Sequence, residues 1–232
     1  MSITSRQAAG AAVLFDLDGT LLDTAPDLAA ALNRLRQLEG LAPLPFATVR
    51  PHVSHGSKAL TRLGFGLPPE SREFEALRLR LLDLYYEDVA SRSRLFDGMA
   101  DVLLDLRAAG MAWGIVTNKP GWLTTPLLAQ VSLPVPPGCV VSGDTLPVSK
   151  PDPAPLLLAA SQLGVPAGDC LYVGDAARDI EAGHRAGMAT LVAAYGYLTE
   201  DDIPTTWGAG GLVESPREIM LHVENWLRTR KP

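Results

Sequence analysis

The chain has 232 residues, 47% hydrophobic and 20% charged, with a formal net charge of -6 at pH 7. This composition suits a folded protein with a sizeable core and excludes disorder of the whole chain. The negative balance argues against a nucleic acid or an acidic membrane held by general electrostatics, so any anionic ligand has to be attracted locally.

The N-terminal run MSITSRQAAGAAVLFD lacks the long apolar stretch and cleavage site of a signal peptide, and no segment reaches membrane-spanning length. Residues 11–15 (AAVLF) form a short unbroken apolar run, as expected for a strand buried on both faces of a parallel sheet. Nearly eighty residues without a convincing strand follow, far more than a crossover needs. They read as an inserted helical unit. Thr24 to Asp27 has a capping-box pattern ahead of Leu28, Leu32 and Leu35 at helical spacing, proline-bearing turns fall near 43–51 and 68–69, and 70–90 is a second helical stretch. Within it, RPHVSHGSKALTRLG (50–64) gathers Arg50, His52, His55, Lys58 and Arg62 around a flexible 54–57 turn. That loop reads either as the part that recognises a ligand, with Gly56 and Lys58 as candidate contacts, or as a solvated helix start. The Tyr85-Tyr86 pair is expected to pack within this unit.

Beyond it strands and helices alternate. Residues 98–109 carry Val102, Leu103, Leu106 and Ala109 on one face with Gly110 as the stop; apolar runs at 112–116, 138–141, 170–173 and 189–193 read as strands. A helix over 153–163 begins with Asp152 as N-cap and Pro153 at its first position, and another spans 177–186 before Gly187. Residues 195–211 read as a surface excursion. Cys139 and Cys170 sit inside strands as reduced core residues, in keeping with a cytoplasmic protein, and the four histidines lack metal-ligand spacing. The alternation predicts an α/β protein with a Rossmann-like parallel sheet and an α-helical insertion.

In such a sheet the residues that follow the strands line the ligand crevice. Here these are Asp16 and Asp18; Thr117, Asn118 and Lys119; and Gly174 and Asp175, with Asp179 four residues on, while Lys150 precedes a helix. Four carboxylates against one lysine would raise one another's pKa values and destabilise the fold, unless a divalent cation joins them. Hard oxygen ligands beside a phosphate point to Mg²⁺. One carboxylate can then attack phosphorus to give an aspartyl phosphate, while Asp18 exchanges protons with the leaving group and with water. Thr117 can offer a hydroxyl and an amide to phosphate oxygens, with Asn118 a weaker candidate.

FDLDGTLLDT, IVTNK, Lys150 in SKPDP and VGDAARDIEAG resemble, in order, the four motifs of the haloacid dehalogenase superfamily. The resemblance implies Asp16 as nucleophile, Asp18 as general acid and base, and Thr117 and Lys150 as phosphate binders. It further implies Asp175 as a metal ligand with Asp16 and the Asp18 main-chain carbonyl, and Asp179 orienting a metal-bound water or Lys150. It also implies a core of residues 1–21 and 96–232 with a cap over 22–95 that closes on the site, in a monomer or homodimer. A carboxylate at Asp18 marks phosphatases and phosphomutases within that superfamily. The wording LLDTAPDLAAALN and FDGM…GIVTNKP resembles phosphoglycolate phosphatases. Val53-Ser54-His55-Gly56 in place of their VGxG element, with VSGDTLPVSKPDPAPLL and AAYGYL, is closer to N-acetylmuramic acid 6-phosphate phosphatases. A β-phosphoglucomutase-like phosphotransferase and a binding protein on a silent scaffold are the alternatives.

Overall fold

A computed structural model describes residues 10–230 of the protein. The start of the N-terminal run and of the expected core segment, residues 1–9, lies outside the described residues, as do 231–232. Among the described residues the strands are β1 (Ala12–Phe15), β2 (Leu22–Asp23), β3 (Arg94–Leu95), β4 (Ala112–Val116), β5 (Cys139–Val141), β6 (Cys170–Gly174), β7 (Ala189–Ala193) and β8 (Leu212–Val213). The α-helices are α1 (Ala25–Leu38), α2 (Phe46–Val49), α3 (Gly56–Phe65), α4 (Arg72–Glu87), α5 (Met99–Ala108), α6 (Gly121–Gln130), α7 (Ala154–Leu163), α8 (Ala177–Arg185) and α9 (Ile219–Thr229).

The five apolar runs become the heart of a six-stranded parallel sheet ordered β5-β4-β1-β6-β7-β8. β1 lies between β4 and β6, with Ala12 opposite both Ala112 and Cys170. Its side chains feed two cores. Val13 and Phe15 pack with Trp113, Ile115 and Val173 on one face, and Ala12 and Leu14 with Tyr172, Leu156 and Ala160 on the other. Phe15 meets the edge of Trp113 at 6.2 Å between ring centroids. Burial of both faces explains why the runs show no polar alternation. After β1 the chain builds outward through β4 and β5, then returns to the other side of β1 through β6 and β7. This reversal opens a crevice at the carboxyl ends of β1, β4 and β6. Cys139 and Cys170 are buried free thiols in this sheet, both pushed up to about 11 by burial, and so held in the unreactive form.

The insertion departs from the expectation of a strand-free unit. Its two ends form the small antiparallel sheet of β2 and β3, pairing Leu22 with Leu95 and Asp23 with Arg94. Two-residue strands are too short to show a period of two. Between them α1 packs on α3 and α4, burying Leu32, Leu35, Leu60, Leu77 and Leu81. The capping box at Thr24 does not form. Its hydroxyl instead donates to Asp18 Oδ1 at 2.6 Å. Asp27 turns to the far end of the insertion, accepting from the Arg92 amide at 3.0 Å and from the Ser93 amide and hydroxyl at 2.7 and 2.6 Å. Both side chains find longer-range partners, which local pattern cannot foresee. α7 starts one residue later than expected, with Asp152 still accepting from the Ala154 amide at 2.9 Å. The 54–57 turn is the junction of a 3-10 helix, Arg50–His55, with α3. α6 holds Pro126 in its interior and α9 buries Ile219, Val223 and Leu227; neither is among the expected helices.

Asp27 is 3% exposed and satisfies two main-chain donors. Asp27→Ala is therefore expected to lower stability by about 3 kcal/mol, the scale for stranding donors that bonded to a charged group. Urea unfolding monitored by circular dichroism checks this: the midpoint should fall with little change in slope.

Candidate active site

The crevice places a buried ammonium among carboxylates. Lys150 Nζ lies 2.9 Å from Asp16 Oδ1 and 2.8 Å from Asp179 Oδ1, and donates to the Val116 carbonyl at 2.9 Å and the Tyr172 hydroxyl at 2.7 Å. Tyr172 in turn donates to the same carbonyl at 2.9 Å. Asp16 leaves β1 with its amide on the Val173 carbonyl, and the Leu17 amide donates to its Oδ1 at 2.7 Å. Asp175 closes the group from the end of β6. Its Oδ2 accepts from the Ser54 hydroxyl at 2.5 Å and the Tyr197 amide at 2.9 Å, while its Oδ1 is buried without a hydrogen-bond partner among the described residues. Asp179 accepts the Ala176 amide at the start of α8 at 3.1 Å. Gly19 permits this closeness. With φ of +84° it takes a turn that side chains disfavour, and a Cβ there would stand 2.1 Å from Asp175 Oδ2.

Oxygens of Asp16, Asp175 and Asp179 lie within 4.8 Å of one another. Burial pushes the Asp16 carboxyl up to about 6, with Lys150 opposing and Asp179 adding to the rise. Burial, then Asp16 and Asp179, push Asp175 up to about 8, against the Ser54 and Tyr197 hydrogen bonds. An unpartnered buried carboxylate oxygen and a set of hard oxygen donors short of positive charge together fit a small divalent cation such as Mg²⁺.

Asp18 stands apart from that trio. Its Oδ1 accepts from Thr24 and from Lys119 Nζ at 2.9 Å, and the Lys119 ammonium lies 4.5 Å from the centroid of the Tyr85 ring. Burial alone would lower the Lys119 pKa, but the pairing with Asp18 raises it above the ordinary lysine range. Thr117 is buried at the end of β4 and its hydroxyl accepts from the Lys119 amide at 3.1 Å. The Asn118 side chain clamps the main chain of Lys150, accepting from its amide at 3.0 Å and donating to its carbonyl at 2.9 Å. Asn118 is thereby a holder of Lys150.

A cavity of about 490 Å³ joins these groups to the insertion. Asp16, Asp18, Thr117, Asn118 and Lys119 line one end; Ser54, Gly56, Lys58, Leu60, Arg78 and Tyr85 line the other. Tyr85, expected only to pack, both packs and forms cavity wall. Two contributions escape the sequence reading. Arg178, between the motif aspartates Asp175 and Asp179, lines the cavity and donates from Nη2 to the Ser54 carbonyl at 2.6 Å; its position inside GDAARD was the available signal. Residues 195–197, expected as part of a surface excursion, fold inward: Tyr197 is 1% exposed, and its hydroxyl donates to Asp23 at 2.7 Å and accepts from the Ala25 amide at 2.9 Å. Two tyrosines in a loop carry no periodic signal, yet their rings bury and their hydroxyls find partners.

Residues 11–187 match the model of the haloacid dehalogenase-like hydrolases. The chain is 44% identical over 209 residues to an N-acetylmuramic acid 6-phosphate phosphatase of Pseudomonas aeruginosa, spanning 90% of this chain and 92% of that protein. It is likewise 44% identical over 209 residues to a phosphoglycolate phosphatase of Xanthomonas campestris, spanning 90% and 94%. Its fold is similar to that of a predicted phosphoglycolate phosphatase from Haemophilus somnus 129PT, with a TM-score of 0.79 and 26% identity over 91% of this chain and 96% of that one.

The raised carboxyls fix the sign of a pH effect. Folded Asp16 and Asp175 hold protons up to about 6 and about 8, whereas an unfolded aspartate releases its proton near 3.8. The folded state therefore binds more protons across that window, and stability falls as pH rises through it. Without divalent ions the melting temperature is expected to drop between pH 5 and pH 8, by about 2–4 °C for each kcal/mol lost. Millimolar Mg²⁺ should raise it more at pH 8 than at pH 5, because binding requires the ionised carboxylates. Thermal scans with chelator and with Mg²⁺ across this range check both effects; a flat chelator profile would show that the carboxylates need no counter-charge.

Proposed function

The chain belongs to the haloacid dehalogenase-like hydrolases and is a phosphatase, and on that premise we propose that it hydrolyses N-acetylmuramic acid 6-phosphate through an aspartyl phosphate on Asp16. The observation that carries the chemistry is the arrangement of Asp16, Asp175 and Asp179 around Lys150, beside a cavity that Asp18 also lines.

Asp16 is held through Oδ1 by Leu17 and Lys150, which leaves Oδ2 to approach phosphorus. As that oxygen bonds to phosphorus the bond to the ester oxygen breaks, and the departing alkoxide takes a proton from Asp18. Water then attacks the same phosphorus, Asp18 takes its proton, and the bond to Asp16 breaks to release inorganic phosphate. Thr24 and Lys119 both engage Oδ1 of Asp18, so Oδ2 serves these exchanges. Asp16 and Asp175, with Asp179 in the same cluster, would hold a divalent cation, which would supply positive charge to offset repulsion between the nucleophile and the phosphate dianion. Thr117 offers its hydroxyl to phosphate oxygens, and Asn118 keeps Lys150 in register.

The helical insertion of residues 22–95 is proposed to act as a cap on a core of 1–21 and 96–232, closing over the substrate. The cavity supports the larger substrate. About 490 Å³ is far more than a two-carbon acid phosphate needs, and falls in the range of pockets for ligands of sugar size. Its cap wall carries Lys58 and Arg78 beside Leu60, Leu82 and Tyr85, a surface suited to an anionic, partly apolar sugar. The phosphoglycolate phosphatase relative of equal identity makes 2-phosphoglycolate the second reading.

Phosphate release from the two compounds at matched concentration with Mg²⁺ tests the substrate. N-acetylmuramic acid 6-phosphate should give the higher kcat/KM, and a preference for 2-phosphoglycolate would reverse the assignment. Asp16→Asn should fall to background turnover with its melting temperature intact. Asp18→Asn should lose on the order of 10²–10⁴-fold in kcat, the usual contribution of a positioned proton donor; full activity in either variant would remove its role.

A further inference from the structure

The insertion delivers a group directly to the carboxylate cluster of the core. Ser54 lies at the end of the 3-10 helix that precedes α3, is 7% exposed, and donates its hydroxyl hydrogen to Asp175 Oδ2 at 2.5 Å. The same oxygen accepts from the Tyr197 amide. Held from two sides through Oδ2, Asp175 keeps its other oxygen, Oδ1, buried and without a hydrogen-bond partner among the described residues, and the carboxylate belongs to the cluster with Asp16 and Asp179.

The loop that carries Ser54 is itself fastened to the core. Arg178 Nη2 donates to the Ser54 carbonyl at 2.6 Å. Arg50, four residues earlier, donates to the Gly196 carbonyl at 3.0 Å and the Tyr195 carbonyl at 3.1 Å, with its guanidinium carbon 4.8 Å from the centroid of the Tyr197 ring. The two donors to Asp175 Oδ2 thus come from segments that are bonded to each other across the junction between insertion and core. Space around the contact is close-packed: a Cβ at Gly19 would stand 2.8 Å from Ser54 Oγ, and one at Gly196 would stand 2.4 Å from Asp175 Cβ. A serine is therefore matched to this position by reach as well as by chemistry. A glycine at 54 would carry no hydroxyl to complete the pair of donors.

We propose that Ser54 is a positioning residue, supplied by the insertion, that fixes Asp175 for cation binding and so makes closure of the insertion and cation binding favour each other. Coupling of this kind is reciprocal: the factor by which the seated loop tightens Mg²⁺ is the factor by which Mg²⁺ holds the loop seated. The proposal rests on Asp175 as a cation ligand.

The test measures Mg²⁺ dissociation constants by titration calorimetry on the full chain without substrate, alongside the rate of proteolysis in the 50–57 segment with and without Mg²⁺. Ser54→Ala should weaken Mg²⁺ by roughly 10-fold, the lower end of the effect of losing an outer partner of a metal ligand, and should remove the protection that Mg²⁺ gives the loop. Ser54→Cys, which keeps a side-chain donor but a weaker and bulkier one, is the second variant and should fall between wild type and Ser54→Ala. A merely structural Ser54 would lower the metal-free melting temperature while leaving the dissociation constant and the Mg²⁺-dependent protection as they are, and that result overturns the proposal. Asp175→Asn separates the two levels. If it binds Mg²⁺ like wild type, the reading of Asp175 fails and the proposal with it; if it loses Mg²⁺ while both Ser54 variants retain it, the coupling alone fails.

Discussion

One buried ammonium shared between carboxylates at the carboxyl ends of the strands governs the rest of the molecule. Lys150 Nζ reaches Asp16 and Asp179 at once, and a third carboxylate, Asp175, shares the cluster without touching it. Such a group is unstable by itself, because Lys150 and the nearby Arg178 guanidinium cannot together offset three negative charges taken out of water. The surrounding architecture answers by holding every member rigidly. The Val116 carbonyl and the Tyr172 hydroxyl also lie within hydrogen-bond reach of Lys150 Nζ, Asn118 grips its main chain, and Gly19 leaves the space in which Asp175 lies. The net deficit of positive charge that survives is what suits the cluster to a cation and a phosphate group together.

The sheet explains why these residues can meet. Asp16, Thr117 and Asp175 each follow a different strand, and β4, β1 and β6 are neighbours at the point where the strand order reverses. Lys150 and Asp179 arrive with the helices α7 and α8 that flank the sheet. Overall the chain is negative, yet the cavity wall supplied by the insertion includes Lys58 and Arg78, the latter paired with Glu75. Attraction of an anionic ligand is thus local, as the net charge of -6 required.

The core strands were legible because burial on both faces writes itself as unbroken apolar runs, and the motif residues because they stand where such runs end. What the sequence concealed has a common physical character: contacts made across large separations by residues with no periodic signature. Thr24 looked like a helix cap and instead supports Asp18; Asp27 looked like its capping partner and instead ties Arg92 and Ser93 to α1. Tyr197 looked like loop and instead joins Asp175 to the start of the insertion. Each satisfies a buried donor or acceptor whose existence depends on the finished fold, so no window of neighbouring residues can reveal it. The two-residue strands β2 and β3 were hidden for a related reason, since their pairing is fixed by the ends of a segment more than seventy residues long.

Those concealed contacts concentrate at one place, the seam between insertion and core. The Tyr197 hydroxyl bonds Asp23 and Ala25 across it, Thr24 bonds Asp18, Arg50 bonds the Tyr195 and Gly196 carbonyls, and Ser54 bonds Asp175. The insertion is pinned by polar contacts at its seam and by apolar packing within itself. The polar seam is also the part whose contacts water can replace when they break. Under the proposed closure, substrate entry would loosen hydrogen bonds at the seam and leave the leucine core of α1, α3 and α4 intact. The residues that bridge the seam are the ones that orient Asp175 and Asp18, so contacts between insertion and core complete the site.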